Sequence, residues 1–225
     1  MTLSKLNKSI IKCRKCNRLV HFREKIANEK RRQYFDQDYW GKPITGYGDP
    51  DAKLLMVGLA PAAHGGNRTG RVFTGDKSAD FLFKCLYQSG FSNQPLSVNK
   101  NDGLKLNNLY LTTALKCVPP EDKPTSKELK TCFNYFSKEI SSLKNITIIL
   151  ALGKIGHDAC INYYKQNYEI KNKDYIFGHG SKNKLPDNKL IMGSYHPSPR
   201  NVNTGRINQS KMVNLLNRVK RELEN

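Results

Sequence analysis

Four of the six cysteines have spacings that suit metal chemistry. Cys13 and Cys16 form a C-x-x-C pair, which lets two thiolates reach one metal centre through a tight turn. Cys117 and Cys132 have fourteen residues between them. The four thiolates together could hold a cubane iron–sulphur cluster or a single zinc ion. Spacing alone does not separate the two, although one close pair with two scattered cysteines fits iron–sulphur slightly better. A redox dithiol at Cys13 and Cys16 is disfavoured because no thioredoxin-like strand precedes them. Cys85 and Cys160 stand at apolar positions of helical patterns and read as inert core thiols. A disulfide framework is not expected.

Further polar chemistry gathers in four short stretches. "GLAPAAHGGNRTGRVFTGD" (58–76) is glycine-rich and ends in Asp76, the nearest acid and a good N-cap for the helical pattern after it. "KCVPPEDKP" (116–124) carries Asp122, and "ALGKIG" (151–156) is compact and glycine-bounded. "SYHPSPRN" (194–201) makes a poor helix and a poor strand interior. It reads as a stiff loop in which Pro197 restrains the backbone around His196.

Each stretch follows an apolar, β-rich run: 53–58, 108–115, 145–153 and 189–195. Helical patterns lie between and after the runs. Residues 78–90 repeat apolar side chains at Phe81, Leu82, Cys85 and Leu86 and stop at Gly90. Residues 124–143 open with Thr125 or Ser126 ahead of Glu128, a capping signal. Residues 155–166 and 207–224 read as two more helices. Strands alternating with helices predict a parallel sheet covered on both faces. Ligands of such sheets lie beyond the carboxyl ends of the strands, where all four polar stretches fall. Residues 1–50 read as a basic, helical preface to a core over 51–225, the two forming one domain over 1–225. Residues 167–188 read as loop with one irregular edge element at most.

The chain carries 38 Lys and Arg against 19 Asp and Glu, a net charge of +19. Such an excess suits a polyanionic partner, nucleic acid above all. A lysine-rich surface that merely solubilises the chain is the plainer alternative. No apolar run approaches the length of a transmembrane helix, and no secretory signal is seen, so the expected location is cytoplasmic.

Residues 58–76, 116–124, 151–153 and 193–201, taken with Cys13, Cys16, Cys117 and Cys132, resemble the uracil-DNA glycosylase superfamily. The type B, or family 5, branch is the most similar. The resemblance implies a three-layer α/β/α sandwich on a central four-stranded parallel sheet. It implies a [4Fe-4S] cluster on the four cysteines. It implies a monofunctional DNA-repair enzyme, expected to be a monomer, that flips out uracil, or hypoxanthine, xanthine or another deaminated base, and hydrolyses its glycosidic bond. The DNA is single- or double-stranded. On this likeness Asp76 is the general base or stabilises the sugar cation, and His196 donates to the base oxygen. Phe73 stacks on the base, with Gly58, Leu59, Ala60, Ala62, His64 and Asp122 around it. Arg68, Arg71, Ser198, Arg200, Asn201 and Arg206 contact DNA. Leu59 and Ala60 stand where many relatives carry an acid or amide, and Asp122 stands where many carry Asn. The competing expectations are a non-catalytic iron–sulphur binding module of the same fold and a zinc-bound RNA-processing protein.

Overall fold

The computed structural model describes residues 2–224. In chain order its elements are α1 (Leu3–Ile11), α2 (Asn17–Glu29), β1 (Tyr47–Gly48), β2 (Leu54–Gly58), α3 (Gly66–Thr69), α4 (Lys77–Gln88) and β3 (Leu109–Thr113). They continue with α5 (Ser126–Ser142), β4 (Ile148–Leu152), α6 (Lys154–Tyr164), β5 (Lys182–Lys184), β6 (Leu190–Ser194), α7 (Pro199–Asn203) and α8 (Gln209–Glu224).

Every residue of β2, β3 and β4 is buried. That is what a parallel sheet needs, because helices cover both of its faces. Alternate side chains sort to opposite sides. Leu54, Met56, Leu109, Leu111 and Leu150 pack with Leu82, Phe83 and Leu86 of α4 and Met212, Leu215 and Val219 of α8. Leu55, Val57, Tyr110 and Ile149 pack with Phe136 and Ile140 of α5 and Ile161 and Tyr164 of α6. The layers are therefore α/β/α.

The sheet is six-stranded, in the order β1-β3-β2-β4-β6-β5. Its middle four strands are parallel, whereas β1 joins β3 and β5 joins β6 antiparallel. The four-stranded expectation is thus corrected by two edge strands. Tyr47–Gly48 is too short to show a period, and Lys182–Lys184 is polar, because an edge need not bury both faces. The chain leaves β2 first for β3 on one side and later returns to β4 on the other, and a crevice opens at such a reversal.

Caps set the helix starts. Thr125 and Glu128 form a capping box at α5, and Glu128 also receives Arg18 of α2 through both carboxylate oxygens at 2.8 and 2.7 Å. The N-terminal helices are thereby fixed to the core. Cys85 and Cys160 are fully buried, and burial pushes the Cys85 thiol up to about 11, as inert core positions require.

Candidate active site and cysteine cavity

Beyond the carboxyl ends of β2 and β4 lies a cleft of about 360 Å³. Its lining includes Leu59, Ala60, Ala62, Phe73, Asp76, Asp122, Gly153, His196 and Ser198, from all four stretches, whose strands are far apart in sequence.

Asp76 ends the glycine-rich loop and caps α4. Its Oδ1 accepts from the Ser78 and Ala79 main-chain N–H groups, both at 3.0 Å. Oδ2 has no hydrogen-bond partner among the described residues and lies against Gly65, where a Cβ would fall 2.0 Å from it. One oxygen therefore holds the helix while the other is left unpaired. Burial raises the Asp76 pKa above its ordinary value, against the pull of the two N–H groups.

Phe73 has φ of 47°, a backbone region rare for a bulky residue. The strain turns its ring into the cleft over Gly58, where a Cβ would meet Cζ at 2.5 Å. Strain of this kind collects at functional sites. Glu121 and Asp122 hold positive φ as well, 54° and 56°, and present Asp122 at the cleft.

His196 also lines the cleft. Burial lowers its pKa, with the nearby Asp122 charge opposing, so the ring is neutral at neutral pH. A side-chain N–H of Asn201 donates to the His196 carbonyl at 2.8 Å, and Pro197 is buried. Gly153, at φ of 98°, lies close beneath, with room for a Cβ only 3.5 Å from that of His196. The loop is shorter than expected: Ser198 caps α7 by accepting from the Asn201 N–H at 3.3 Å.

A separate small cavity of about 20 Å³ is lined by Cys13, Cys16, Cys117 and Cys132 together. The four cysteines surround it, but no three His, Cys, Asp or Glu groups among the described residues converge as ligands of one ion. N–H groups aim at the sulphurs: Arg23 Nη1 donates to Cys117 Sγ at 3.0 Å and the Lys116 main chain to Cys132 Sγ at 3.3 Å. The Arg23 guanidinium is buried, and its Nε has no acceptor among the described residues. Burial raises the Cys117 thiol to about 11 and Cys132 to about 12.

A family model described as the uracil DNA glycosylase superfamily matches residues 45–220. The chain belongs to this superfamily. A Type-5 uracil-DNA glycosylase of Thermus thermophilus is 39% identical to it over 209 residues, 93% of each chain. One of Pyrobaculum aerophilum is 39% identical over 210 residues, 93% of this chain and 88% of the relative. A Type-4 uracil-DNA glycosylase of Archaeoglobus fulgidus is 23% identical over 203 residues, 88% of this chain and 82% of its own.

Three of the expected contacts need correction. Arg68 is buried and donates to the His64 carbonyl, Gln37 and the Gly75 carbonyl at 2.7, 2.5 and 2.7 Å. Arg71 is buried in a bidentate pair with Asp102 at 2.9 and 2.6 Å. Both guanidinium groups brace the glycine-rich loop and are not free for phosphate. His64 lies outside the cleft lining, its Nδ1 3.0 Å from the Tyr39 hydroxyl. The Gly58 and Leu59 carbonyls also serve the sheet, accepting from Ala114 and Leu115 at 2.9 Å each. Arg200 and Arg206 are exposed beside the His196 loop. Lys154, Ile155 and Gly156 line the cleft as well, so the "ALGKIG" stretch falls at the expected edge, although none of the three stands out in the sequence as a site residue.

Proposed function

We propose that the protein is a monofunctional uracil-DNA glycosylase of DNA repair, a hydrolase that acts as a monomer in the cytoplasm. The observation that carries the reading is the cleft in which a strained Phe73, the unpaired Asp76 Oδ2 and the neutral His196 face one volume. The names of the Type-5 relatives support it.

The chemistry follows from these groups. A uracil flipped from the duplex fits between the cleft walls with its face against Phe73. As the N-glycosidic bond breaks, its electron pair moves onto the base and negative charge grows on a ring oxygen. A neutral His196 held by its loop donates a hydrogen bond there without reorganising. Positive charge grows at C1′ of the sugar. The Asp76 carboxylate offsets it and accepts a proton from the water whose oxygen bonds to C1′. The products are the free base and an abasic site. Leu59 and Ala60 contribute shape only. Asp122, when ionised, only accepts hydrogen bonds, so it favours base edges that present N–H groups. Hypoxanthine and xanthine belong in the substrate range on that ground. Arg200, Arg206 and the rest of the positive surface hold phosphates.

The second part of the reading is a [4Fe-4S] cluster on Cys13, Cys16, Cys117 and Cys132. Four cysteines around a cavity, not grouped on one point, suit a cluster better than a single zinc ion. A buried guanidinium with an unmatched N–H suits an anionic thiolate centre beside it. The cluster ties residues 13–16 to residues 117–132 and takes no part in base release. Iron and acid-labile sulphide analysis should find about four irons per chain, and zinc without iron would reject it.

The activity test is base release from duplexes containing uracil, hypoxanthine or xanthine, with alkali to reveal abasic sites. The wild type should leave alkali-labile sites at uracil, and His196→Ala should be slower by roughly 10²-fold. A wild type that binds each duplex and releases no base would make the chain a binding module.

A further inference from the structure

The loop at residues 177–181, Phe-Gly-His-Gly-Ser, lines neither the cleft nor the cysteine cavity, yet it grips the strand end that leads to His196. The Gly180 N–H donates to the Gly193 carbonyl at 2.8 Å, and the Gly193 N–H to the Ser181 carbonyl at 3.1 Å. The fit is close: a Cβ on Gly193 would lie 2.3 Å from the Gly178 carbonyl oxygen.

His179 stands at the centre of this grip. Its Nδ1 is 3.4 Å from the Tyr195 main-chain nitrogen and 3.4 Å from Ser194 Oγ. The Tyr195 N–H can only donate, so Nδ1 is the acceptor and the ring proton sits on Nε2. The ring stacks on Tyr195 at 5.5 Å and 28°, and the Arg206 guanidinium also lies over that phenol, 5.0 Å from its centre. From α8, the Lys211 main chain and the Lys211 and Arg218 charges face the ring. Burial lowers the His179 pKa, the Lys211 main chain opposes, and the two cations lower it further. The neutral ring that Nδ1 acceptance requires is thereby favoured. Stacking alone would need no nitrogen at this position, and phenylalanine would serve as well.

We propose that His179 is a positioning residue for base release: Nδ1 fixes the main chain of Tyr195, and so the pose of His196 at the next position. The inference rests on the reading of the cleft as the site of base release. His179 touches no substrate. It acts by holding the donor in place, and a displaced donor loses much of its effect on the transition state.

The test compares wild type, His179→Phe and His179→Asn in single-turnover uracil release from a uracil-containing duplex, with DNA affinity and Tm measured on the same samples. Phenylalanine keeps the stack and removes the acceptor. Its rate should fall by roughly 10- to 100-fold while Kd stays within about 2-fold. Asparagine can offer Oδ1 near the place of Nδ1 and should recover the rate to within about 3-fold of wild type. If His179→Phe does not fold, His179→Gln replaces it, since its carbonyl reaches past that place and should leave the rate low. A wild-type rate in the Phe or Gln variant, or an Asn variant as slow as either, would overturn the proposal. Wild-type protein that releases no uracil would overturn the cleft reading and this inference with it; wild-type release with unaffected variants overturns this one alone.

Discussion

The cleft and the cysteine cavity solve opposite problems with the same means, burial. In the cleft, burial surrounds groups that keep a free atom: Asp76 has one oxygen bound and one open, and the His196 ring faces an open volume. In the cysteine cavity, N–H groups are aimed inward at sulphur, and the space left is small. The cleft stores strain, at Phe73 and at Glu121 and Asp122. The cavity instead draws its cysteines from the turn before α2, from the segment after β3 and from α5, and so brings separate parts of the chain together. One region is arranged for a reaction and the other for cohesion.

That contrast breaks down first if cohesion can be removed without harm. Cys132→Ala should cost roughly 3 kcal/mol or more of stability, read by chemical denaturation. The remaining folded protein should release uracil within about 3-fold of the wild-type rate. A stable variant with a dead cleft would reverse the assignment.

Asp76→Asn tests the cleft from the other side. Asparagine caps helices as well as aspartate does, so α4 should be unharmed. The open oxygen is replaced by an uncharged amide NH2, which cannot accept a proton, and base release should slow by roughly 10²-fold. Unchanged release would show that Oδ2 does no chemistry.

A smaller effect separates the two roles of Asp76 by pH. Its folded pKa is raised, so the folded protein holds the proton more tightly than the unfolded chain. The stability linked to that proton is present at low pH and lost as pH rises through the folded pKa. Asp76→Asn should therefore melt above wild type at pH 7, by about 1–3 °C, and the gap should close on acidification. Wild-type activity should fall over the same range as the carboxylate is protonated. A gap that widens in acid would contradict this environment for Asp76.

The smallest expected effect concerns arginines that look alike in the sequence. Arg200→Ala should lower the salt dependence of DNA affinity by about one unit of slope and leave Tm alone. Arg68→Ala should do the reverse, destabilising the protein by about 1–3 kcal/mol without changing the slope. Equal behaviour of the two would erase the distinction between bracing and binding arginines.

This last pair also marks what the sequence could and could not reveal. The parallel core strands were legible because buried strands demand unbroken apolar runs, and Asp76 was legible because a helix start demands a cap. The gathering of Phe73, Asp76, Asp122 and His196 at one sheet edge followed from the alternation of strand and helix. Burial of Arg68 and Arg71 was not legible, since their partners Gln37 and Asp102 lie 31 residues away in each case. A positive charge in a sequence does not reveal whether it faces water. His179 was hidden for a related reason: its meaning depends on a contact with Tyr195, 16 residues on.

The reach of the cysteine cavity along the chain bears on how the protein is made. Cys13 and Cys16 leave the ribosome early, whereas Cys132 and the helix that carries it come more than a hundred residues later. At roughly 5–20 residues per second, the first pair of thiols waits for several seconds before its partners exist. Through that interval they face the cell's oxidants and stray metal ions, and the N-terminal helices have no seat. Completion of the cavity therefore trails its first two thiols by that interval, and they must stay reduced until Cys132 arrives.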